Sequence, residues 1–478
     1  MTQKNNLVCL SSISLADPII EKNTVRTKVT VKESNGNESY FELINKYEQK
    51  LFPDCLPLLR LAFCMTLLNY GLFSKKFLLN FPVSKADLAL LNDLNVVFSR
   101  DIFVNKIAQG DNPYILPEFF PNQERIKPID GDPKVKMVSL KITSDFHLNT
   151  EIDSVKAGVL SSGGKDSLLT YGLLKELGAD VYPLYVNESG GHWRTALTAY
   201  KYHKQNEPNT QRVWTNVDRF YTFMLDHLQF IRPDHRNIWH DTYPIRLCIF
   251  PFYVFTLLPV FIDHHIGNLL LGSEFDDLRY EIQYKGIQHY FGVYDQHQDY
   301  DVRMNEWYTK RIPGLYQWSA LRNISGLVDQ NILVKRYPHL AKQQRSCHSC
   351  HIKNNKIYPC GVCSKCVGIM LYLLANAIDP TIMNYQKKDV ENFNKTVGVS
   401  SLKLDKDEKE QSFFLLTGKG TVPVVKCVDH VEKIHIHKAT CDPLLYPVQF
   451  RKGLLKILEQ YTTGYCKLKN GNWVPIEI

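Results

Sequence analysis

The segment from Ser161 to Ser167, Ser-Ser-Gly-Gly-Lys-Asp-Ser, has the composition of a loop that binds phosphate groups. An apolar run from Val155 to Leu160 precedes it, and leucines four residues apart follow it at Leu169, Leu173 and Leu177. This pattern predicts a strand, a glycine loop and a helix, in that order. Glycine allows backbone N–H groups to approach an anion closely, and the N-terminus of the helix adds free N–H groups and a positive dipole end.

The glycine loop does not follow the Walker A pattern, because Val159 and Asp166 stand where that motif has glycine and Ser or Thr. The segment instead resembles the S-G-G-x-D-S loop of the PP-loop ATP pyrophosphatases. Those enzymes bind the pyrophosphate part of ATP while a substrate oxygen attacks the α-phosphate. The resemblance implies that the residues in contact with ATP are Ser161, Ser162, Gly163, Gly164, Lys165, Asp166 and Ser167. A glycine-rich turn with Asp166 as a helix cap is the simpler alternative.

A cluster of cysteines is the second motif whose residue types can do chemistry. Its members are Cys347, Cys350, Cys360, Cys363 and Cys366. Thiolates in pairs two residues apart can bind one zinc ion, and Gly361 allows a tight turn between two of them. The last three cysteines are the simplest ligands; the fourth is Cys350 by compact spacing or Cys347 by its Arg-Ser-Cys context, with His348 and His351 as weaker candidates. Four protein ligands leave no position for water, so the predicted role is structural; free core cysteines and a redox or sulfur-carrying site are the alternatives.

The composition is that of a globular protein of two or three domains, with 478 residues of which 44% are apolar and 22% charged. The net charge of +8 is compatible with an anionic ligand or a nucleic acid and requires neither. The start of the chain lacks the apolar core of a signal peptide. The apolar run from Leu247 to Ile262 is too short for a membrane span, so it predicts a buried helix and no membrane contact. Cysteines clustered around a metal predict a reducing, cytoplasmic location.

The order of the predicted elements divides the chain into three parts. Residues 1–150 predict an α+β domain without a catalytic signature. Residues 151–378 alternate strands and helices, which predicts an α/β domain with a doubly wound parallel sheet. Residues 379–478 predict a small C-terminal α+β domain, with a charged, exposed loop from Lys403 to Gln411 and strand-like runs from Ser412 to Ile436.

The ends of the predicted strands indicate where a ligand would bind in the α/β part. Further strands are predicted over Asp180–Val186, from Val213 onward, and over Asn268–Leu271. Ligands of such sheets bind beyond the carboxyl ends of the strands. The glycine loop, Asn187-Glu188 and Ser273-Glu274 are therefore expected around one crevice.

Two further segments narrow the class of protein. Pro244-Ile245-Arg246 lies before the apolar helix, and Leu269-Leu-Leu-Gly-Ser-Glu-Phe-Asp-Asp277 follows it. With the glycine loop and the cysteine pattern, residues 155–375 resemble the QueC family, the 7-cyano-7-deazaguanine synthases. The family has Asn where this chain has Glu274, and its substrate segment matches Asp301–Trp307 only loosely. Longer chains of this kind resemble the QueC-like proteins of bacterial anti-phage operons.

The resemblance implies an ATP-dependent ligase that forms a carbon–nitrogen bond. A carboxylate, 7-carboxy-7-deazaguanine in the family, attacks the α-phosphate of ATP, pyrophosphate leaves, and an amine displaces AMP. The amine is ammonia in the synthases and a protein amine from the same operon in the anti-phage group. The implied catalytic residues are Lys165, which neutralises charge, Asp166, which helps to hold Mg²⁺, and Arg246, which binds a phosphate or the substrate carboxylate. The implied cofactors are ATP, Mg²⁺ and Zn²⁺.

Two other functions stay open on the sequence. A tRNA-modifying PP-loop enzyme of the sulfurtransferase type also suits a basic chain with a cysteine cluster, but it needs a reactive thiol near the loop, and Cys248 lies in an apolar helix. A non-catalytic, ATP-binding interaction subunit is the second, and the intact loop sequence opposes it. Gly190–Arg194 and the aromatic run Tyr280–Trp307 are further candidates for contact with the nucleotide or a flat base.

Overall fold

The computed structural model is an α/β structure with a mainly parallel central sheet. It describes residues 7–238, 243–277, 279, 283–290, 293–347, 349–393, 395, 397, 402, 404–417 and 426–477. Four sequence predictions fall wholly or partly outside these residues: His348 as a ligand, Lys403 at the start of the C-terminal loop, parts of the Tyr280–Trp307 run, and residues 418–425 of the Ser412–Ile436 stretch.

The first 150 residues contribute six strands and two α-helices to the described structure. They are β1 (Leu10–Leu15), β2 (Ile19–Glu21), β3 (Thr24–Glu33), β4 (Glu38–Lys46), α1 (Leu56–Met65), β5 (Phe77–Ser84), α2 (Lys85–Ile102) and β6 (Met137–Thr143). Burial alternates along β3, which is the pattern of a strand with one face on the core. The side chain of Ser84 accepts a hydrogen bond from the Asp87 N–H and begins α2, as an N-cap serine does.

The middle of the chain alternates strands with helices, as the sequence predicts. Its elements are β7 (Asp153–Leu160), α3 (Lys165–Glu176), β8 (Asp180–Asn187), α4 (Gly190–Asn206), β9 (Gln211–Thr215), α5 (Val217–Leu225), α6 (Phe250–Asp263), β10 (Ile266–Leu270), β11 (Gln283–Tyr284), β12 (Ile287–Gln288), α7 (Gln298–Arg311), β13 (Tyr316–Trp318), α8 (Gly326–Arg336), α9 (Pro338–Ala341), β14 (His351–Lys353), β15 (Lys356–Tyr358) and α10 (Ser364–Ala375). The strands predicted at Asp180, Val213 and Asn268 are confirmed as β8, β9 and β10.

The C-terminal part contains helices where the sequence analysis predicts a loop and strands. Its elements are α11 (Lys387–Glu391), α12 (Lys406–Thr417), β16 (Ile434–Ile436), α13 (Val448–Glu459), β17 (Tyr465–Lys469) and β18 (Asn472–Ile476). The exposed loop predicted over Lys403–Gln411 is wrong for its described residues, because most of them begin α12 and Glu408 and Gln411 are buried. The strand predicted from Ser412 is wrong up to Thr417, since α12 continues to that residue. Tertiary contacts of α12 with α10 decide this region, and local sequence does not reveal them.

One large sheet joins the first and the middle part of the chain. Its strand order is β13-β10-β7-β8-β9-β4-β3-β1-β5-β6, with β2 paired to β3. The strands from β13 to β9 are parallel, and β4 joins β9 in an antiparallel pairing of Asn45 with Thr215. Strand β7 lies between β8 and β10, so the chain order of the parallel strands reverses at β7. A crevice forms at such a switch point beyond the carboxyl ends of the strands.

The apolar run that contains Pro251 and Pro259 forms α6, which is buried along most of its length. This confirms the predicted core helix. Pro251 lies in the first turn, where a missing N–H costs nothing, and α6 packs against α1 of the N-terminal part. Within the described ranges, no helix combines the length and the apolar character that crossing a membrane requires.

Candidate functional site

The glycine loop connects the end of β7 to the start of α3, at the switch point of the sheet. The Ser161 N–H donates to the Leu184 carbonyl of β8 at 2.8 Å and fixes the start of the loop. Gly164 is the N-cap residue of α3, and its backbone is extended. The first N–H groups of a helix have no partner within the helix, so the loop and the start of α3 together form an anion-binding arrangement.

Gly163 is the residue of this loop whose conformation demands glycine. Its φ angle is +75°, a region that L side chains rarely adopt. A Cβ atom at this position would lie 3.1 Å from Ala196 Cα and 3.3 Å from Ala199 Cβ, both in α4. The loop therefore passes so close to α4 that even an alanine side chain would displace one of them.

Lys165 lies at the start of α3 and points into a group of three carboxylates. Its ammonium forms ion pairs with Asp166 and Glu274, and its Nζ lies 3.4 Å from Asp329 Oδ2. Oxygen atoms of Asp166, Glu274 and Asp329 all lie within 4.8 Å of one another. We call these three residues the carboxylate triad. When all three carboxylates are ionised, Lys165 balances only one of their three negative charges.

The pKa values around the triad follow from burial and from the crowding of like charges. Burial alone lowers the pKa of Lys165, but the three carboxylates together raise it well above its usual value. Burial raises the pKa of Glu274 to about 8 despite the opposing effect of Lys165. Burial and the neighbouring carboxylates raise the pKa of Asp329 well above its usual value. For Asp166, burial raises the pKa, but the charge of Lys165 and hydrogen bonds to the carboxylate lower it by more, so that it ends below the ordinary value.

Close backbone packing holds the triad together. A Cβ atom on Gly272 would lie 2.8 Å from Asp166 Cβ, so the segment after β10 contacts the first turn of α3 directly. A Cβ atom on Gly326 would lie 2.7 Å from Glu274 Oε2, so α8 begins against the Glu274 carboxylate. Glycine at both positions lets three elements converge on Lys165.

The C-terminal part supplies a fourth carboxylate behind the triad. Glu408 of α12 accepts a hydrogen bond from the Gly326 N–H at 2.8 Å and another from the Tyr372 hydroxyl. Burial and the neighbouring Asp405 together raise the pKa of Glu408 to about 7. Helix α12 therefore braces the start of α8, the helix that carries Asp329.

The cysteine cluster forms a compact group of four thiols. The Sγ atoms of Cys347, Cys360, Cys363 and Cys366 lie within 4.8 Å of one another. The Cys347–Cys360 and Cys347–Cys363 sulfur distances are 3.3 and 3.5 Å. Zinc–sulfur bonds of about 2.3 Å put the sulfurs of a tetrahedral site about 3.8 Å apart, so the group can hold a metal ion such as zinc.

The structure brings Cys347, and not Cys350, to the other three thiols. The Cys363 N–H donates to Cys360 Sγ at 3.4 Å across the turn at Gly361. That glycine has a φ of +76°, and a Cβ atom there would lie 2.5 Å from the Asp389 carboxyl carbon, so the turn requires glycine. His351 lies in β14 and is exposed, outside the group of four.

Hydrogen bonds connect the cysteine cluster to the glycine loop and to α4. The Arg345 N–H donates to the Gly163 carbonyl at 2.9 Å. The Thr195 hydroxyl donates to the Cys347 carbonyl at 3.1 Å, and Arg194 Nη1 donates to the Cys350 carbonyl at 3.2 Å. The cluster therefore holds both the loop and the helix that the loop contacts.

No protein-family model matches the chain, and no curated protein matches it at a significant level. The fold and the two clusters described above thus carry the functional argument.

Arg246 lies in a second buried cluster at the carboxyl ends of β8 and β9. Its Nη1 atom is 3.5 Å from Glu188 Oε2 and 3.5 Å from Asp218 Oδ1. The faces of its guanidinium contact the rings of Tyr243 at 3.8 Å and Tyr221 at 5.0 Å. The two carboxylates outnumber the single cation, which opposes an anionic ligand. The predicted role of Arg246 in binding a phosphate or carboxylate stays a prediction that this charge balance does not favour.

His192 extends the Arg246 cluster toward the solvent. Its Nε2 lies 3.5 Å from Arg246 Nη2, and its ring stacks on Tyr243 with an interplanar angle of 19°. Burial and the charge of Arg246 lower the pKa of His192 to about 3, so the ring is neutral at neutral pH. The sequence predicts that the segment Gly190–Arg194 contacts the ligand. In the structure its His192 belongs to the Arg246 cluster, and its Arg194 donates a hydrogen bond to the backbone carbonyl of Cys350.

Sequence reasoning missed Asp329, Glu408 and Asp218. No motif surrounds them, because each reaches its site from a separate helix through the tertiary fold. Asp301, from the loosely matched substrate segment, forms a buried ion pair with Arg322 at 2.5 Å and accepts a hydrogen bond from Gln317. This gives Asp301 a structural partner within the protein.

Proposed function

We propose that this protein is an ATP-dependent ligase that activates a carboxylate as an acyl-adenylate and transfers the acyl group to an amine, with release of pyrophosphate and AMP. The observation that carries the proposal is the glycine loop at the switch point of the parallel sheet, directly beside the carboxylate triad. The sequence resemblance to the PP-loop and QueC families supplies the reaction type. It also supplies 7-carboxy-7-deazaguanine as the first substrate to test.

The chain's own contribution to the adenylation step is to bind and orient phosphate groups. Backbone N–H groups at the start of α3 are free to receive the oxygens of the leaving pyrophosphate. The hydroxyls of Ser162 and Ser167 face the same loop, since they bond the Gly164 N–H and the Gly164 carbonyl. No side-chain nucleophile is needed, because positioning and charge stabilisation supply the acceleration.

The carboxylate triad fits a divalent cation. Asp329 is fully buried, and its Oδ1 atom has no hydrogen-bond partner among the described residues. A buried carboxylate oxygen without a partner is costly, and three crowded carboxylates offer the oxygen ligands that Mg²⁺ prefers. Asp166, Glu274 and Asp329 would hold the ion. Bound Mg²⁺ neutralises phosphate charge as pyrophosphate departs.

Lys165 now occupies the place where the triad would hold that cation. Its ammonium and a metal ion compete for the same three carboxylates. A lysine released from the triad would lie at the base of the loop, close to the phosphates that the loop receives. This exchange would let the buried Lys165 bind phosphate once a metal ion takes its place among the carboxylates.

The four-cysteine group supports the proposal in a structural role. Four thiolates complete a tetrahedral shell and leave no position for water or substrate. The bonds from Arg345 and Thr195 then link the metal site to the loop and to α4. A metal at this site would keep the phosphate loop in place without taking part in the reaction.

The test is to incubate the purified protein with Mg-ATP, 7-carboxy-7-deazaguanine and ammonium chloride and to follow products by mass spectrometry. AMP together with an amide or nitrile of the deazaguanine supports the proposal in full. AMP without a small-molecule product supports adenylation and directs the search for a protein amine. Absence of AMP, and of pyrophosphate exchange into ATP, would overturn the proposal.

A further inference from the structure

The Arg246 cluster contains two buried polar atoms that the protein leaves without a hydrogen bond. Glu188 is 2% exposed, and its Oε1 makes no hydrogen bond with a described residue, although His192 Nδ1 lies 3.4 Å away. Arg246 Nη1 also lacks a hydrogen bond within the described structure. The other Glu188 oxygen accepts from the Tyr253 hydroxyl at 2.7 Å. Native proteins pair nearly all buried polar groups, so an orphan carboxylate oxygen indicates a partner that binds from outside.

The charge balance of this cluster identifies the sign of that partner. Glu188 and Asp218 carry two negative charges against the one positive charge of Arg246, and His192 is neutral. Lys365 acts on His192, but it is exposed, so solvent screens its charge. Among the described buried residues of the cluster, the two carboxylates therefore face a single cation.

The cluster is open on one side. The side chains of Asp218 and His192 are 38% and 30% exposed, so solvent reaches the cluster past them. The Asp218 carboxylate lies beside Gly190, where a Cβ atom would be 3.7 Å from its oxygen. This exposed edge is the side from which a small cation would approach Glu188.

The cluster lies on the ligand side of the glycine loop. Leu160, the last residue of β7, pairs with Leu184, and β8 continues to Asn187 before Glu188. At about 3.3 Å per residue, Glu188 lies roughly 13 Å beyond the end of β7 along the strand direction. An acyl-adenylate whose single phosphate lies at the loop would extend beyond the strand ends on this side of the sheet.

We infer that Glu188 and Asp218 form the subsite for the acceptor amine, which enters as an ammonium ion. The inference rests on the proposed function and names the residues that select its second substrate. Carboxylates bind an ammonium by charge and hydrogen bonds, and the Tyr253 hydroxyl holds Glu188 in position by donating to its other oxygen. Arg246 keeps the two carboxylates in place by pairing with both.

The transfer step forms one C–N bond, breaks one C–O bond and removes two protons from the ammonium. The ammonium R–NH₃⁺ gives one proton to the Glu188 carboxylate, and the free amine forms a C–N bond to the acyl carbon. The C–O bond to AMP breaks, and AMP leaves with its electron pair. The second proton passes from nitrogen to water as the amide forms.

The experiment separates adenylation from transfer. Exchange of labelled pyrophosphate into ATP reports adenylate formation, and amide formation with methylamine reports transfer. We expect Glu188→Gln and Asp218→Asn to lower the second-order rate constant for methylamine at least tenfold more than they lower the exchange rate. Asp234→Asn, which removes an exposed carboxylate paired with Arg232, should change neither rate by more than twofold. Equal losses of exchange and transfer in the two cluster variants would overturn the inference.

A binding measurement tests whether the cluster binds an ammonium ion even if the protein forms no adenylate. Methylammonium chloride should raise the melting temperature of the native protein by about 2 °C more than the same concentration of tetramethylammonium chloride, which cannot donate hydrogen bonds. Asp218→Asn, the milder and more exposed change, should abolish that difference, and Asp234→Asn should preserve it. Equal melting temperatures of the native protein in the two salts would overturn the amine subsite, whereas absent pyrophosphate exchange would overturn only the proposed function.

Discussion

The backbone N–H of Arg345 donates to the carbonyl oxygen of Gly163 at 2.9 Å, and this bond joins the segment just before Cys347 to the glycine loop. The Arg345 guanidinium also donates to the Ile357 carbonyl in β15 and to the Gln344 carbonyl. The arginine therefore fixes the backbone on both sides of the first cysteine. A well-ordered cysteine cluster would therefore stabilise the conformation of the loop that is proposed to bind ATP.

Removal of the metal should therefore weaken ATP binding as well as stability. We expect Cys360→Ser to abolish binding of one zinc equivalent, to lower the melting temperature by about 5 °C or more, and to weaken ATP binding at least tenfold. Metal analysis, thermal melting and calorimetric titration with Mg-ATP measure the three effects. Cys427→Ser, at an exposed cysteine outside the cluster, is the control and should change none of them. ATP binding that survives loss of the metal would separate the cluster from the loop.

Alanine at Gly163 should test the contact between the loop and α4. Gly163→Ala and Gly178→Ala both place a side chain at positive φ, with angles of +75° and +82°, and each should cost about 1 kcal/mol of stability. A Cβ atom at Gly178 meets nothing within 4 Å, whereas at Gly163 it meets the backbone of Ala196. Only Gly163→Ala should also lower the affinity for ATP, by at least tenfold in a calorimetric titration. Equal affinities in the two variants would show that the loop tolerates displacement from α4.

Asp329→Asn should change stability and metal binding in opposite directions. The substitution removes a buried carboxyl group that crowds the other two carboxylates and whose Oδ1 has no hydrogen-bond partner in the described structure, so the protein without metal should gain up to roughly 1–3 kcal/mol. It also removes one ligand of the triad, so the Mg²⁺ concentration that half-saturates pyrophosphate exchange should rise at least tenfold. Chemical denaturation and a magnesium titration of the exchange rate measure the two effects.

The control for Asp329→Asn is a buried carboxylate whose oxygens are hydrogen-bonded within the protein. Asp87 accepts from Arg311 at 3.1 Å and from the Trp307 indole at 2.8 Å. Asp87→Asn should therefore lose stability and leave the magnesium requirement unchanged. If Asp329→Asn behaves in the same way as Asp87→Asn, Asp329 is a structural residue and not a metal ligand.

Features that depend on neighbouring residues, such as element order and cysteine spacing, can be predicted from the sequence, whereas contacts between distant helices cannot. The order of β7, glycine loop and α3 follows from residue spacing alone, and the grouping of thiols at Cys360, Cys363 and Cys366 follows from short-range pattern. Asp329 and Glu408 reach the loop because α8 and α12 pack there, and no local pattern records that packing. The helix at Lys406 was missed for the same reason, since burial of Glu408 against Tyr372 stabilises a segment whose charge suggests an exposed loop.

The stability of the protein should fall as the pH rises from 5 to 8, and Asp295 should account for part of that fall. Asp295 is 1% exposed, and its Oδ2 accepts long hydrogen bonds from the Ile249 and Phe250 N–H groups before α6. Burial raises the pKa of Asp295 to about 8, and the carboxylate of Asp101 contributes to the increase. In the unfolded chain an aspartate has a pKa of about 3.9.

The direction of this pH dependence follows from the pKa of Asp295 in the folded and in the unfolded state. Below about pH 4 the carboxyl is protonated in both states, and between pH 4 and 8 the folded protein holds a proton that the unfolded chain has lost. The stability is therefore fully present at low pH and is lost as the pH rises through 8, at up to about 1.4 kcal/mol per pH unit for this group. Asp295→Asn keeps an oxygen acceptor for α6 and cannot ionise. We expect it to flatten the pH dependence of the free energy of unfolding between pH 5 and 8, measured by denaturant titration. Asp93→Asn, at an exposed carboxylate, should leave the slope of the native protein unchanged. An unaltered slope in Asp295→Asn would mean that Asp295 is ionised in the folded protein throughout this range.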